Sequence, residues 1–292
     1  MIVNPTTKKQ LKLENHYYYC EDSEYKAFIK DGTVYFHPDI DDNFRDYDAV
    51  GIDILYQAEN KHFWFKNRKN IIKSFFQKYV GKNEEIIEIG AGTGNVSRML
   101  IENGYNNVAV GEIHSSGLEY AKTYGIKDRF QFDLLRSPFV EHFNVVGMFD
   151  VLEHIQEDEY ALKQVYQMLK PNGKVIITVP AHMWLWNRED AIAYHKQRYE
   201  LDALIKLLVD SNFKVLEAKN FFISILPLLW LRTIIQKDDG TPPRKEEFGQ
   251  PIKMNPLLNF VLDKITILEN MLTRFFTPKI GGSIILIAQK NR

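Results

Sequence analysis

The chain has 292 residues, 45% of them hydrophobic and 26% charged, the balance of a globular protein with room for one large domain and a small one. Lys plus Arg number 37 and Asp plus Glu 38, a formal net charge of −1, so there is no basic footprint for nucleic acid. The single cysteine, Cys20, excludes an intramolecular disulfide and fits a reducing cytoplasm. Met1 to Gln10 lack the apolar core of a signal peptide. The most apolar run, Phe221 to Ile235, is shorter than a membrane span and is interrupted by Pro227 and Arg232. The expected location is therefore cytoplasmic, with no transmembrane segment.

In chain order, residues 1–50 predict a small β-rich appendage. Lys26-Ala27-Phe28-Ile29 and Thr33-Val34-Tyr35-Phe36 flank the turn Asp31-Gly32. Asp39 to Asn43 and the acidic stretch after them read as a linker. A helix is expected from about Glu59 to Tyr79, because Trp64, Ile71, Ile72, Phe75, Phe76 and Tyr79 recur at three- and four-residue steps.

Apolar strands then alternate with amphipathic helices. The expected strands are Glu85–Ile89, Asn107–Glu112, Phe130–Asp133, Phe143–Phe149 and Lys174–Val179. The expected helices are Asn95–Asn103, Ser116–Tyr124 and Glu157–Leu169. That alternation predicts parallel strands joined by helical crossovers. Val175 to Val179 shows almost no polar alternation, as befits a strand buried on both faces. A helix marked by Leu201, Leu204, Ile205, Leu208 and Val209 precedes a strand at Phe213–Lys219. Two helical segments, Phe221–Gln236 and Asn255–Phe276, come before the last strand, Ser283–Ala288. The fold class is α/β: a doubly wound, mostly parallel seven-stranded sheet in a domain of residues 51–292, with a helical cap insertion at 221–280.

Chemistry gathers at strand ends. Glu88-Ile89-Gly90-Ala91-Gly92-Thr93-Gly94 runs from a strand into a helix. Its glycines permit positive φ and close approach of a ligand, and the helix N-terminus offers free N–H groups. Glu112 closes the second strand, where a carboxylate can accept hydrogen bonds from a ribose diol. Asp133 closes the third, where an acid can accept from an adenine amino group. Phe149-Asp150-Val151-Leu152-Glu153-His154-Ile155 follows the fourth, at the edge where open α/β sheets bind ligands. Leu169 to Gly173 is a helix stop and a turn.

This ordered set resembles the class I S-adenosylmethionine methyltransferases, and in particular the bacterial group that includes the ubiquinone-pathway O-methyltransferases. The likeness covers about residues 56 to 220 and the final strand. It implies a Rossmann-like fold and S-adenosyl-L-methionine as cofactor, with S-adenosyl-L-homocysteine as product. It also implies a cofactor site of Glu88, Gly90, Ala91, Gly92, Gly94, Glu112, Ile113, Asp133, Leu134, Asp150 and Val151. Arg68, ahead of the glycine loop, matches an arginine that contacts the cofactor carboxylate in such enzymes; a solvated helix charge is its other reading. The ubiquinone-pathway enzymes carry an acid-x-x-Glu-His metal motif where this chain has Asp150, Glu153 and His154. A Mg²⁺ site there is the alternative to the expected metal-free one, in which Asp150 and Glu153 are polar groups around the cofactor. The N-terminal piece resembles a degenerate zinc ribbon, with Ser23 in place of the second cysteine after Cys20, so no zinc is expected.

An alcohol acceptor needs its proton removed. His182 and His195 follow the fifth strand and are the candidate catalytic bases; each can also be read as a packing histidine. The expected acceptor is a small molecule, a glycan or a lipid-linked compound, and the apolar insertion can serve as substrate lid, dimer contact or peripheral membrane contact. A nicotinamide dehydrogenase would need G-x-G-x-x-G, which is absent. A cofactor-binding regulator without turnover is the non-enzymatic alternative.

Overall fold

The computed structural model describes residues 1–37, 39–40, 49–244, 247, 252–273 and 275–291. Most of the expected linker, residues 41–48, lies outside the described residues, as does part of the polar stretch before residue 252.

The elements run β1 (Lys12–Glu14), β2 (Tyr17–Tyr19), β3 (Lys26–Lys30), β4 (Thr33–Tyr35), α1 (Ala49–Ala58), α2 (Phe63–Tyr79), β5 (Glu85–Ile89), α3 (Asn95–Glu102), β6 (Asn107–Glu112), α4 (Ser115–Thr123), β7 (Asp128–Gln131), β8 (Phe143–Phe149), α5 (Asp158–Met168), β9 (Leu169–Pro180), α6 (Arg188–Ile192), α7 (Leu201–Asp210), β10 (Phe213–Phe221), α8 (Leu226–Ile235), α9 (Pro256–Leu272) and β11 (Ser283–Lys290). The helix expected over Glu59–Tyr79 begins four residues later, at Phe63, and a separate helix, α1, precedes it. His62 sets that start, because its Nδ1 accepts the Trp64 N–H at 3.2 Å and caps α2.

β7, β6, β5, β8 and β9 lie parallel in that order, and β11 enters antiparallel between β9 and β10. This is the expected seven-stranded, doubly wound sheet. Alternate residues face its two sides. Ile87, Val146, Ile177 and Leu286 pack into one hydrophobic cluster, and Ile86, Val145, Ile176 and Ile285 into another. Asn172 takes a left-handed conformation, and β9 bulges past Phe143–Val145 there.

The sheet does not stop at seven strands. The antiparallel meander β1–β4 continues it, because β4 pairs parallel with β7 through Thr33↔Arg129, Val34↔Phe130 and Tyr35↔Gln131. An open edge at β7 would leave backbone donors and acceptors unpaired. Phe36 packs against Phe139 with ring centroids 5.6 Å apart, and the buried Arg129 donates to the Thr33 hydroxyl and the Asp31 carbonyl. At the far end of the meander, Ser23 N–H donates to the Cys20 carbonyl and closes a turn.

Among the described residues, no helix is long and apolar enough to cross a membrane.

Candidate cofactor and acceptor site

The C-terminal ends of β5, β6 and β8 open onto a cavity of about 1440 Å³. One small ligand typically fills ~300–1,000 Å³, so there is space for a cofactor and an acceptor together. Every expected cofactor residue but one lines it: Arg68, Glu88, Gly90, Ala91, Gly92, Glu112, Ile113, Asp133, Leu134, Asp150 and Val151. The exception is Gly94. It caps α3 at φ 79°, and a Cβ there would meet Ile126 at 2.9 Å and Ala121 at 3.1 Å. That space is taken by close packing of the helix.

Gly90 and Gly92 differ in the same terms. A Cβ on Gly90 would press on Val151 at 2.6 Å, whereas one on Gly92 would meet nothing nearer than Leu55 at 4.0 Å. The space over Gly92 belongs to the cavity, which makes a cradle that a side chain would fill.

Glu112 organises that cradle. One carboxylate oxygen accepts the Gly92 N–H at 2.7 Å, and the other accepts the N–H groups of Ile113 and His114 at 2.7 and 3.1 Å. A carboxylate has about four acceptor positions, so most of its capacity is spent on the loop. Glu88, buried beneath the loop, accepts the Ser97 N–H at 2.8 Å and the Ser97 hydroxyl at 2.5 Å. Burial pushes its pKa up to about 7, against the Ser97 bonds, which pull it down. Asp133 caps the short turn Leu134–Arg136 through the Leu135 N–H at 2.9 Å.

Arg68 is not a solvated charge. It is ion-paired with Asp150 on the cavity wall, and its Nε is buried with no hydrogen-bond partner among the described residues. Asp150, at φ 60°, also accepts from the Thr178 hydroxyl at 2.9 Å.

Two further cavity residues left no trace in the motifs. Glu59 accepts from the Thr93 hydroxyl at 2.7 and 2.8 Å, and burial raises its pKa. Lys69 donates to Asn95 at 2.9 Å, and burial lowers its pKa. Both are lone charges beside or on helices, where charge ordinarily means solvent.

The candidate bases separate. β9 ends at Pro180, and the His182 N–H donates to the Tyr199 carbonyl at 3.0 Å. The His182 ring stacks on Trp184 and binds Glu200 through Nδ1 at 2.7 Å. It is not among the cavity residues, so the expectation that it faces the reacting methyl is corrected. His195 does line the cavity, with Nδ1 2.8 Å from an Asp190 carboxylate oxygen. Arg198 grips both oxygens of Asp190 at 2.9 Å. Burial pushes the Asp190 pKa up, but the bonds from His195 and Arg198 outweigh it and hold the group below its usual value.

His195 Nε2 faces Glu153 at 4.0 Å, and its ring meets His154 edge-on with centroids 4.7 Å apart. Among the described residues, neither Glu153 oxygen has a hydrogen-bond partner. Burial, then the charge of Asp150, pushes the Glu153 pKa well above its ordinary value. Burial lowers His154 to about 3. The expected Mg²⁺ alternative does not assemble as Asp150, Glu153 and His154. Asp150 is engaged by Arg68, and the side chains whose ligand atoms lie within 4.8 Å of one another are Glu153, His154 and His195. One carboxylate and two imidazoles do not suit the oxygen-rich shell of Mg²⁺.

A doubly wound sheet with a glycine cradle beneath a cavity roomy enough for a cofactor and an acceptor defines a class I methyltransferase fold. The chain belongs to the methyltransferase domain family, whose model matches residues 56–218. It is 22% identical over 165 residues to the ubiquinone biosynthesis O-methyltransferase of Rickettsia typhi, covering 50% of this chain and 66% of that protein. The chain thus spans less than two thirds of the length of that relative. Among solved structures, phosphoethanolamine N-methyltransferase 2 of Haemonchus contortus in complex with S-adenosyl-L-methionine aligns over 86% of this chain and 59% of its own, with a TM-score of 0.55 and 16% identity. The complex between the Haloferax volcanii Trm112 activator and a methyltransferase matches 84% of this chain and 94% of the other, with a TM-score of 0.54 and 14% identity. At these identities the structural likeness is one of fold.

Proposed function

We propose that this chain O-methylates a small-molecule, glycan or lipid-linked acceptor, and that His195 takes the acceptor's proton. When bound, S-adenosylmethionine supplies a sulfonium-activated methyl group, so the chain's own work is alignment, exclusion of water and proton removal. The cradle fits this cofactor through the open space over Gly92, the carboxylates of Glu112 and Asp133 for hydroxyl and amino groups, and Arg68 with its unsatisfied Nε for a carboxylate.

The observation that carries the reading is the His195–Asp190 pair on the cavity wall. With Nδ1–H donated to Asp190, Nε2 is the basic nitrogen, and the carboxylate stabilises the imidazolium formed when a proton arrives.

His195→Ala tests the proposal. Methyl transfer should fall by ~10²–10⁴-fold while S-adenosylhomocysteine affinity is kept. Unchanged transfer would leave the histidine a packing role. A non-catalytic cofactor-binding regulator would bind the product equally well and transfer nothing in either form.

A further inference from the structure

The insertion between β10 and β11 is built inside out. The buried residues of α9 are Leu262, Asp263, Thr266 and Glu269. Lys66 and Asn67 of α2 hold Asp263 at 3.0 Å each. Glu269 accepts the N–H groups of Ile223 and Ser224 at 3.0 and 2.7 Å. The outward stripe of the same helix is Leu257, Val261, Ile265, Leu268 and Leu272, with Leu257 72% exposed. α8 has no buried residue and presents Trp230, Ile234 and Ile235 to solvent. A surface helix in water carries the opposite arrangement, and apolar exposure on this scale marks a docking face.

Charge and position indicate what covers it. Lys237, Lys253, Lys264 and Lys279 around the insertion are all exposed. Four of its described carboxylates are engaged or turned inward: Asp263 and Glu269 are buried, and Asp238 and Glu247 bind Arg188. Between residues 222 and 282, Asp239 is the only exposed carboxylate among the described residues. Lys264 lies over the Phe260 ring at 5.2 Å, an apolar group with a cation at its edge. A second copy docking through the same patch would bring like charges together, whereas anionic headgroups above an apolar layer complement both features. The face also adjoins the cavity, since Leu228, Leu231 and Ile235 of α8 and Leu258 of α9 form part of its wall.

We propose that α8 and α9 seat the protein on an anionic lipid bilayer, with the mouth of the cavity at the lipid surface. This holds whichever atom accepts the methyl group. The test is co-sedimentation of the full chain with vesicles of phosphatidylcholine, with and without phosphatidylglycerol. The protein should partition onto the mixed vesicles, more weakly onto phosphatidylcholine, and less at high salt. The triple variant Trp230→Ser, Leu257→Ser, Leu268→Ser alters exposed side chains outside the cavity wall. It should lose about tenfold or more in vesicle affinity and keep its Tm and its S-adenosylhomocysteine affinity. The pair Lys264→Glu, Lys279→Glu should lose about tenfold or more on mixed vesicles and little on phosphatidylcholine. No partitioning of the wild type, or partitioning undiminished in both variants, would overturn the proposal. So would a stable wild-type dimer in solution that the serine variant converts to monomer. Retained S-adenosylhomocysteine binding in such a case would leave the methyltransferase reading standing.

Discussion

Asp190 reaches His195 Nδ1 at 2.8 Å while Arg198 and the Asn187 N–H hold the same carboxylate at 2.9 Å, so the imidazole is oriented by a group that is itself fixed. Asp190→Asn keeps the shape and removes the charge that stabilises an imidazolium. Turnover should fall by on the order of 10²-fold or more, with little change in S-adenosylhomocysteine affinity. The Tm should fall too, because Arg198 loses its counter-charge. A drop in Tm with turnover intact would show a structural pair only.

Glu112 is expected to act on the cofactor through the loop it holds. Glu112→Ala removes the acceptor of three backbone N–H groups, each bond worth ~1 kcal/mol or more. Calorimetry should show weaker S-adenosylhomocysteine binding, and melting curves should show a less stable apo protein. Weakened binding with an unchanged apo Tm would point to direct ribose contact alone.

The glycines give a paired prediction. Alanine at either Gly90 or Gly92 strains a positive φ by ~1–2 kcal/mol. Gly90→Ala also pushes into Val151, so its main effect should be a lower apo Tm. Gly92→Ala intrudes into the cavity, so its main effect should be a smaller stabilisation by S-adenosylhomocysteine in a thermal-shift assay. The reverse pattern would contradict the placement of the cradle.

Much of the fold was legible in residue order. Strands such as Val175–Val179 are buried on both faces and read as continuous apolar runs, which survive without context. The pairing of β4 with β7 was not legible: a three-residue strand has too little pattern to announce its partner, and the contact is made by ring packing and a buried Arg129. The glycine loop and the acids at strand ends were legible because sheet topology fixes where strand ends go. Glu59 and Lys69 were not, since only tertiary packing brings such helix-associated charges to a cavity. His182 and His195 looked equivalent in sequence, and only the turn after Pro180 sends one ring out of the cavity.

Glu88 makes stability depend on pH. Its pKa rises from 4.5 unfolded to about 7 in the fold, so the folded state binds the extra proton. That contribution is fully present below about pH 4.5 and is lost as pH rises through about 7. The loss is of the order of 3 kcal/mol. Glu88→Gln cannot titrate, so the fall in Tm between pH 5 and pH 8 should be smaller in the variant. Equal slopes would show that Glu88 is ionised throughout.

The central claim, transfer to an oxygen with His195 as base, is tested most directly by finding where the methyl group lands. Wild-type and His195→Ala protein would be incubated with methyl-labelled S-adenosylmethionine and a cell extract, and the labelled product characterised by mass spectrometry. The label should appear as a methyl ether or ester with the wild type, and ~10²–10⁴-fold more slowly with His195→Ala at matched cofactor affinity. Label on nitrogen, sulfur or carbon, or oxygen methylation at full rate without His195, would contradict the account.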